Sequence, residues 1–253
     1  TGGVFGQHND AGRAVLLPAL RRLGIATLNG VVVSHGDKDH AGGAASLANG
    51  IVVQKWYVGG RAAALASQLQ RAMLPCVAGL QWRADGVRFA FIHPPTAHAA
   101  DPENDRSCVL QVSSLASGNG AVSGRALLTG DISRSSERQL LHAPGQQLLA
   151  DVVLVPHHGS KSSSSAAFVA QLKPLYALVS AGFNNRYRHP HVDVLQRYRD
   201  AGSAILRSDQ LGAIQLSFRD GAWQQPRCSR YAGRFFWQPW NNTSQCAGRV
   251  RKP

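Results

Sequence analysis

The sequence predicts an α/β fold built in layers, and three observations predict it. Short apolar, often β-branched runs alternate with stretches of helical period along most of the chain. Three of those runs stop at a residue able to hold a metal: residues 31–34 at His35, 126–129 at Gly130-Asp131, and 151–155 at Pro156-His157-His158. In layered α/β folds, ligands gather where strand ends meet loops, so the repetition argues for one site assembled from strand ends. The chain is also long enough, at 253 residues with 44% hydrophobic content, to bury a substantial core.

The elements follow in order. Residues 13–23 read as a short helix with Leu16, Leu17, Leu20 and Leu23 on one face. Residues 31–34 form a strand running directly into His35. Residues 41–49 are small and helix-compatible, and 51–53 begin the next strand. Residues 61–74 look helical up to Pro75, which cannot continue a helix. Strands are expected at 87–93 and 107–113, with a turn at 118–120, then at 126–129, 151–155 and 175–180. A helix over 192–200 and a strand over 214–218 close the series.

From residue 219 the character changes. This stretch carries seven Lys or Arg against one Asp, beside Trp223, Tyr231, Phe235, Phe236, Trp237 and Trp240. The expected organisation is therefore a hydrolase-type domain over 1–218 and a basic, aromatic extension over 219–253. The formal charge of +13 favours polyanionic partners such as nucleic acid or anionic lipid headgroups. The tail suits stacking on single strands, and equally an anchor at a membrane surface. No apolar run of about 18 residues is present, so no membrane-spanning helix is expected. The start has neither a basic segment nor an apolar core of a signal peptide, and it lacks Met, so the chain reads as a piece of something longer. Four cysteines are too few for a disulfide scaffold. Cys76 and Cys108, in apolar surroundings, read as buried thiols, whereas Cys228 and Cys246 are a candidate bridge in an oxidising compartment.

The chemistry concentrates in His35-Gly36-Asp37-Lys38-Asp39-His40. Four potential ligands in six residues, after a strand and before Gly42-Gly43, are hard to explain as chance. A loop can aim alternate side chains inward, so His35 and Asp37 can serve one metal while Asp39 and His40 serve a second.

This stretch resembles the metallo-β-lactamase superfamily motif H-x-[HD]-x-D-H, and more closely the soluble hydrolase domain of the ComEC family of DNA-uptake proteins. The resemblance extends through Glu103-Asn104-Asp105-Arg106-Ser107, Leu128-Thr129-Gly130-Asp131, Pro156-His157-His158-Gly159-Ser160-Lys161, His189-Pro190-His191 and Ser208-Asp209-Gln210-Leu211-Gly212. It implies an αββα sandwich, two mixed sheets flanked by helices, with strands preceding residue 1. It further implies two divalent ions, held by His35, Asp37, Asp39, His40, Asp131 and His157 or His158. Asp131 would be the bridging carboxylate, with Asp39, Asp131 and His158 carrying catalysis. Asn104, Ser107, Lys161 and His189 are candidates for holding substrate. Asp37 replaces a histidine of the commonest motif, and no histidine lies near Ser107, where many members carry one. A carboxylate-rich site suits harder ions, so Mn²⁺ stands beside Zn²⁺.

The implied activity is hydrolysis of DNA, on the non-transforming strand, by an extracytoplasmic domain of an inner-membrane protein. Its partners would be DNA and the transmembrane remainder of the same polypeptide, with no nucleotide cofactor. Two alternatives keep parts of this reading: hydrolysis of small or cell-wall phosphodiesters, and a non-catalytic DNA-binding module.

Overall fold

The structure is a computed structural model, and it describes residues 1–96, 101–116, 120–144, 148–230 and Cys246. The chain forms two compact units. The first comprises Thr1–Leu80 and Phe91–Val109, the second Gln81–Ala90 and Leu110–Pro253.

In the first unit a short parallel sheet leads into the His35–His40 stretch. Strands β1 (Val4–Gly6) and β2 (Asn9–Asp10) pair with each other, and β3 (Thr27–Leu28) pairs with β5 (Val52–Val53). Strand β4 (Val31–Val33) lies parallel to β6 (Trp56–Val58), which lies parallel to β7 (Leu74–Pro75). The helix expected over 13–23 is present as a π-helical turn, Gly12–Leu16, continued by α1 (Leu17–Arg22), with Pro18 just after the join. Helices α2 (Lys38–Ala41), α3 (Ala44–Gly50) and α4 (Leu65–Leu69) follow. Val31, Val33, Leu47, Trp56, Val58 and Leu65 bury together as the core of this unit.

One expected helix is shorter than its pattern. Residues 61–74 divide into a 3-10 turn, Gly60–Ala64, and α4, which ends at Gln70 in a left-handed conformation with φ 51°. Leu74–Pro75 then pairs with Tyr57–Val58, so ladder hydrogen bonding claims residues that helical period alone assigns to α4. Cys76 and Cys108 are buried as expected but are not thiols: they form a disulfide. Their backbones explain the pairing, since Cys76 N–H donates to Val58 O and Cys108 N–H to Ser34 O, both at the ends of neighbouring strands.

The second unit is organised by a seven-stranded mixed sheet, and the chain enters this unit twice, at Gln81–Ala90 and again from Leu110. Its strands are β8 (Gln81–Ala84), β9 (Val87–His93), β10 (Val109–Leu115), β11 (Val122–Leu128), β12 (Val152–Leu154), β13 (Tyr176–Val179) and β14 (Ala204–Arg207), in spatial order β14-β13-β12-β11-β10-β9-β8. The β8–β9 and β10–β11 pairs are antiparallel, whereas β11 to β14 run parallel. Leu128, Leu154 and Leu178 stand in register across three parallel strands, so the loops after them emerge at one edge. Helices α5 (Arg134–Leu141), α6 (Ala166–Leu172) and α7 (Val192–Asp200) connect these strands. Leu140, Phe168, Val169, Leu172, Val194 and Tyr198 are their buried residues.

The expected strand over 214–218 is two short pieces, Ile214–Gln215 pairing with Arg227–Cys228 and Phe218–Arg219 pairing with Ala222–Trp223. Cys228 and Cys246 form the second disulfide, inside an apolar cluster with Val152, Tyr176 and Leu206. Trp223 packs against that cluster and donates from Nε1 to Asp151 Oδ2 at 3.2 Å. Those contacts give it a part in holding the fold. The other aromatic residues expected to stack, Tyr231, Phe235, Phe236, Trp237 and Trp240, lie outside the described residues. Among the described residues no helix is long and apolar enough to cross a membrane.

Candidate metal centre

Each unit carries one set of ligand-type side chains, and each set hangs from the carboxyl ends of parallel strands.

In the first unit, β4 ends at Val33 and delivers Ser34 and His35. His35 is fully buried, and its ring stacks at a tilt against His40 with centroids 4.2 Å apart. A single hydroxyl organises both rings: Ser34 Oγ lies 3.1 Å from His35 Nδ1 and 3.2 Å from His40 Nδ1. Ser107 Oγ reaches His35 Nδ1 from the other side at 3.3 Å. With Nδ1 engaged, Nε2 of each ring turns toward a carboxylate. His35 Nε2 is 3.6 Å from Asp37 Oδ2, and His40 Nε2 is 3.8 Å from Asp39 Oδ2. Asp37 takes the position before α2, and its carbonyl accepts the amides of His40 and Ala41, which turns the loop back on itself.

The carboxylate of Asp37 has a second occupation. Because Val33 and Val58 are register partners, the loop after β6 runs beside the loop after β4. That places Arg61 next to Asp37, with Nη2 donating to Oδ1 at 2.8 Å. Gly36 has no room for a side chain here, since a Cβ would sit 2.7 Å from Arg61 Cβ. Glu103 joins the two loops: Oε1 accepts the Gly36 amide at 2.6 Å and the Arg61 amide at 2.8 Å, while Oε2 faces Arg61 Nε at 3.6 Å and Arg106 Nη1 at 3.4 Å. His93, buried, is bonded from Nε2 to the Asp105 carbonyl at 2.8 Å and so fixes the 3-10 turn Glu103–Arg106 that presents Glu103. Burial holds the His93 imidazolium pKa below the ordinary histidine value, against the opposing pull of that carbonyl.

In the second unit, β11 delivers Asp131 after Gly130, and β12 delivers His157 and His158 after Pro156. Asp131 is buried, and its Oδ2 lies 3.4 Å from His158 Nε2 and 3.9 Å from His157 Nε2. His158 Nδ1 is 2.8 Å from Ser180 O, at the end of β13. A carbonyl can only accept, so Nδ1 carries the proton and Nε2 presents its lone pair. His157 Nδ1 meets the Ser162 hydroxyl at 3.2 Å, a partner that leaves both tautomers open.

Both histidines sit in left-handed backbone, with φ of 50° and 54°. That conformation costs about 1–2 kcal/mol for each non-glycine residue and persists only where surroundings over-determine it. Here they do. His157 N–H donates to Gly130 O, Ser160 N–H to His157 O, and Ser163 Oγ to Pro156 O. Gly159, at φ 83°, lies where a Cβ would be 2.5 Å from Pro190 Cβ.

The loop is secured from below by Glu137 of α5. Its fully buried carboxylate accepts the amides of Ser164 and Ser165. Burial raises the Glu137 pKa above its ordinary value, against those two bonds and Arg134.

The remaining candidates divide. His189 joins the second set: its ring is edge-on to His157 at 5.9 Å and stacked on Tyr187 at 5.8 Å. Its pKa is lowered by burial first, then by His157 and His158. His191 instead caps α7, its Nδ1 accepting the Asp193 amide at 3.2 Å. Ser107 reaches His35, whereas Asn104 lies within the 3-10 turn and its carbonyl accepts the Ser107 amide. Lys161 is exposed in the loop after the histidine pair.

The donor chemistry fits a divalent cation. Four imidazole–carboxylate pairs stand at 3.4–3.9 Å, beyond good hydrogen bonds. Two ligands about 2.1 Å from a tetrahedral ion are about 3.4 Å apart; the Asp131–His158 pair matches that spacing, and the other three are wider.

Residues 5–98 match the family model described as Metallo-beta-lactamase superfamily. Competence protein ComA of Neisseria gonorrhoeae is 33% identical over 235 residues, covering 90% of this chain and 30% of that protein. ComE operon protein 3 of Bacillus subtilis is 33% identical over 218 residues, covering 83% of this chain and 27% of that protein. Among solved structures, the metallo-beta-lactamase fold protein YhfI of Bacillus subtilis matches 71% of this chain and 74% of its own, with a TM-score of 0.38 and 14% identity, a likeness too slight to build on.

The fold and the site define the class: a mixed α/β domain of the metallo-β-lactamase superfamily, whose members are metal-dependent hydrolases. Within that class the chain belongs with the ComEC family of competence proteins. It spans less than a third of the length of those relatives.

Proposed function

We propose that this chain is the metal-dependent phosphodiesterase domain of a DNA-uptake protein and that it hydrolyses DNA, namely the strand that is not taken up. The observation that carries the reading is the His158 tautomer. An imidazole whose Nδ1–H is spent on a carbonyl, with Nε2 aimed at a buried carboxylate, is a ligand prepared for a cation. Asp39 and His40 in the first ligand set, and Asp131 and His158 in the second, are the residues we assign as metal ligands, as the resemblance implies. His157 is the neighbouring imidazole, and its hydroxyl partner leaves it able to ligate or to meet substrate. The resemblance implies a second ion at His35 and Asp37, with Mn²⁺ or Zn²⁺ as the species, and Asp37 is the residue on which that count turns.

A divalent ion in such a site acidifies water toward neutral pH and stabilises charge on a phosphoryl group. The chain's own residues do the rest. Ser34, Ser107 and the Ser180 carbonyl fix imidazole orientation, so no ligand needs to reorganise when substrate arrives. His189 and Lys161 border the histidine pair and are assigned to substrate phosphate. The charge of +13 supports a polyanion held through its backbone rather than its sequence. The names of the competence relatives supply the uptake setting, and two disulfides support an oxidising, extracytoplasmic side of the membrane. The short coverage of those relatives leaves room for a transmembrane remainder as the covalent partner.

The test is cleavage of linear single-stranded and plasmid DNA beside bis(p-nitrophenyl) phosphate, with Mn²⁺ or Zn²⁺ added to chelator-stripped protein. Activity should require the metal. Asp131→Ala should lose more than the roughly 10–100-fold that loss of an outer partner costs. Full activity in Asp131→Ala, or in stripped protein, would refute the reading. Turnover of the small diester alone would move the substrate class away from DNA.

A further inference from the structure

We propose that the first metal position of this domain is filled by the guanidinium of Arg61, so that the centre takes one divalent ion per chain rather than two. The inference rests on the metal-centre reading above and deepens it.

Three observations within the first unit carry it. Among the described residues the position offers one imidazole and one carboxylate, His35 and Asp37, and the carboxylate is already paired with Arg61 at 2.8 Å. The third place, where the resemblance implies a histidine in many members, holds Ser107, and its hydroxyl lies 3.3 Å from the buried Nδ1 of His35. Finally, Arg61 is fixed there by more than Asp37. Its amide is accepted by Glu103 Oε1, its Nε faces Glu103 Oε2, and Glu103 is itself 10% exposed and tied to the ligand loop through the Gly36 amide.

The local electrostatics follow. Two carboxylates, Asp37 and Glu103, and two guanidiniums, Arg61 and Arg106, sum to zero, so this cluster lacks the net negative charge that compensates stripping water from a dication. A positive neighbour within about 4–6 Å depresses a carboxylate's affinity for any cation as it does for a proton, by roughly 10- to 1,000-fold. Arg61 is also permanently charged, and its side chain is 65% exposed, so it can meet a phosphate oxygen directly. A guanidinium there does the electrostatic part of a metal's work whatever the supply of ions.

The competing role for Arg61 is to orient Asp37 for a metal, as outer partners of ligating carboxylates do. The two roles predict opposite signs. If Arg61 orients a ligand, removing it weakens metal binding. If it stands in for the ion, removing it creates a place for one.

The experiment is equilibrium dialysis of the stripped protein against Mn²⁺, with elemental analysis of metal per chain, on the wild type, Arg61→Ala, Arg61→Lys and Asp37→Asn. The wild type should bind one ion tightly. Arg61→Ala should gain a second, with its Kd lowered at least about tenfold. Arg61→Lys keeps the charge and should stay at one, as should Asp37→Asn. Two comparable ions in the wild type, or loss of an ion in Asp37→Asn, would overturn the inference while leaving the hydrolase reading intact. An unchanged count in folded Arg61→Ala would overturn it as well. No ion in the wild type would overturn both. Should Arg61→Ala not fold, the wild-type and Asp37→Asn counts decide the matter.

Discussion

The loop after β4 and the loop after β12 both carry candidate ligands, and different physics holds each of them in place. Residues 35–40 keep ordinary backbone and are set by charge: Arg61, Glu103 and Asp37 form a chain of ion pairs around the Gly36 amide. Residues 156–160 carry few charges and are set by strain held in place, two left-handed histidines pinned by carbonyls, hydroxyls and a glycine that admits no Cβ. The difference teaches where each loop is vulnerable. Charge can be retuned without unfolding, because partly exposed pairs contribute little to stability. A strained loop depends on every contact that over-determines it.

The sharpest break of that comparison is at Glu137. Glu137→Ala leaves the Ser164 and Ser165 amides without their acceptor, and buried donors orphaned in this way cost about 1–3 kcal/mol each. We expect a loss of roughly 2–5 kcal/mol in urea unfolding. Arg61→Ala should cost under about 1 kcal/mol in the same measurement, as befits a pair that is largely solvent-exposed. Equal losses would mean that the two loops are not built differently.

Next in size is Gly159→Ala. A left-handed φ of 83° together with a Cβ 2.5 Å from Pro190 should cost about 1–3 kcal/mol in thermal unfolding and lower metal affinity with it. An unchanged Tm would show that the histidine turn is softer than argued. Smaller again is Ser34→Ala. It should cost about 1 kcal/mol or less in stability. Its metal affinity should nonetheless fall roughly 10–100-fold, because both imidazoles lose the hydroxyl that aims them.

The smallest effect is in pH. Burial raises the pKa of Glu137 in the folded state relative to the unfolded chain. A raised carboxyl pKa means its contribution is fully present below the unfolded value near 4.5 and is lost as pH rises through the higher folded value. Glu137→Gln should therefore flatten the fall of stability between acidic and neutral pH. A profile with the wild-type slope would show that Glu137 does not titrate in that range.

Much of this was readable in the residues. The strands at 31–34, 126–129 and 151–155 were legible because buried parallel strands are short apolar runs, and their polar stops at His35, Asp131 and His157 singled out the candidate ligands. Strand β9 and helix α7 have the bounds that their patterns predict. Others left no such mark. Helix α5 reads Arg-Ser-Ser-Glu-Arg-Gln-Leu-Leu, too polar for period to reveal, and it is held by the Ser133 cap and the buried Glu137. Glu103 stood within a motif read for Asn104 and Ser107, and its hold on Gly36 and Arg61 has no signature in spacing.

By itself the sequence determined which groups could bind a metal and that strands would carry them, because ligand chemistry and hydrophobic period are local properties. Only the tertiary structure decided which nitrogen of His158 meets the Ser180 carbonyl, that Cys76 meets Cys108, and that Arg61 lies on Asp37. Those follow from the register of parallel strands, Val33 beside Val58 and Leu154 beside Leu178, and register is a relation between distant segments that neither encodes alone.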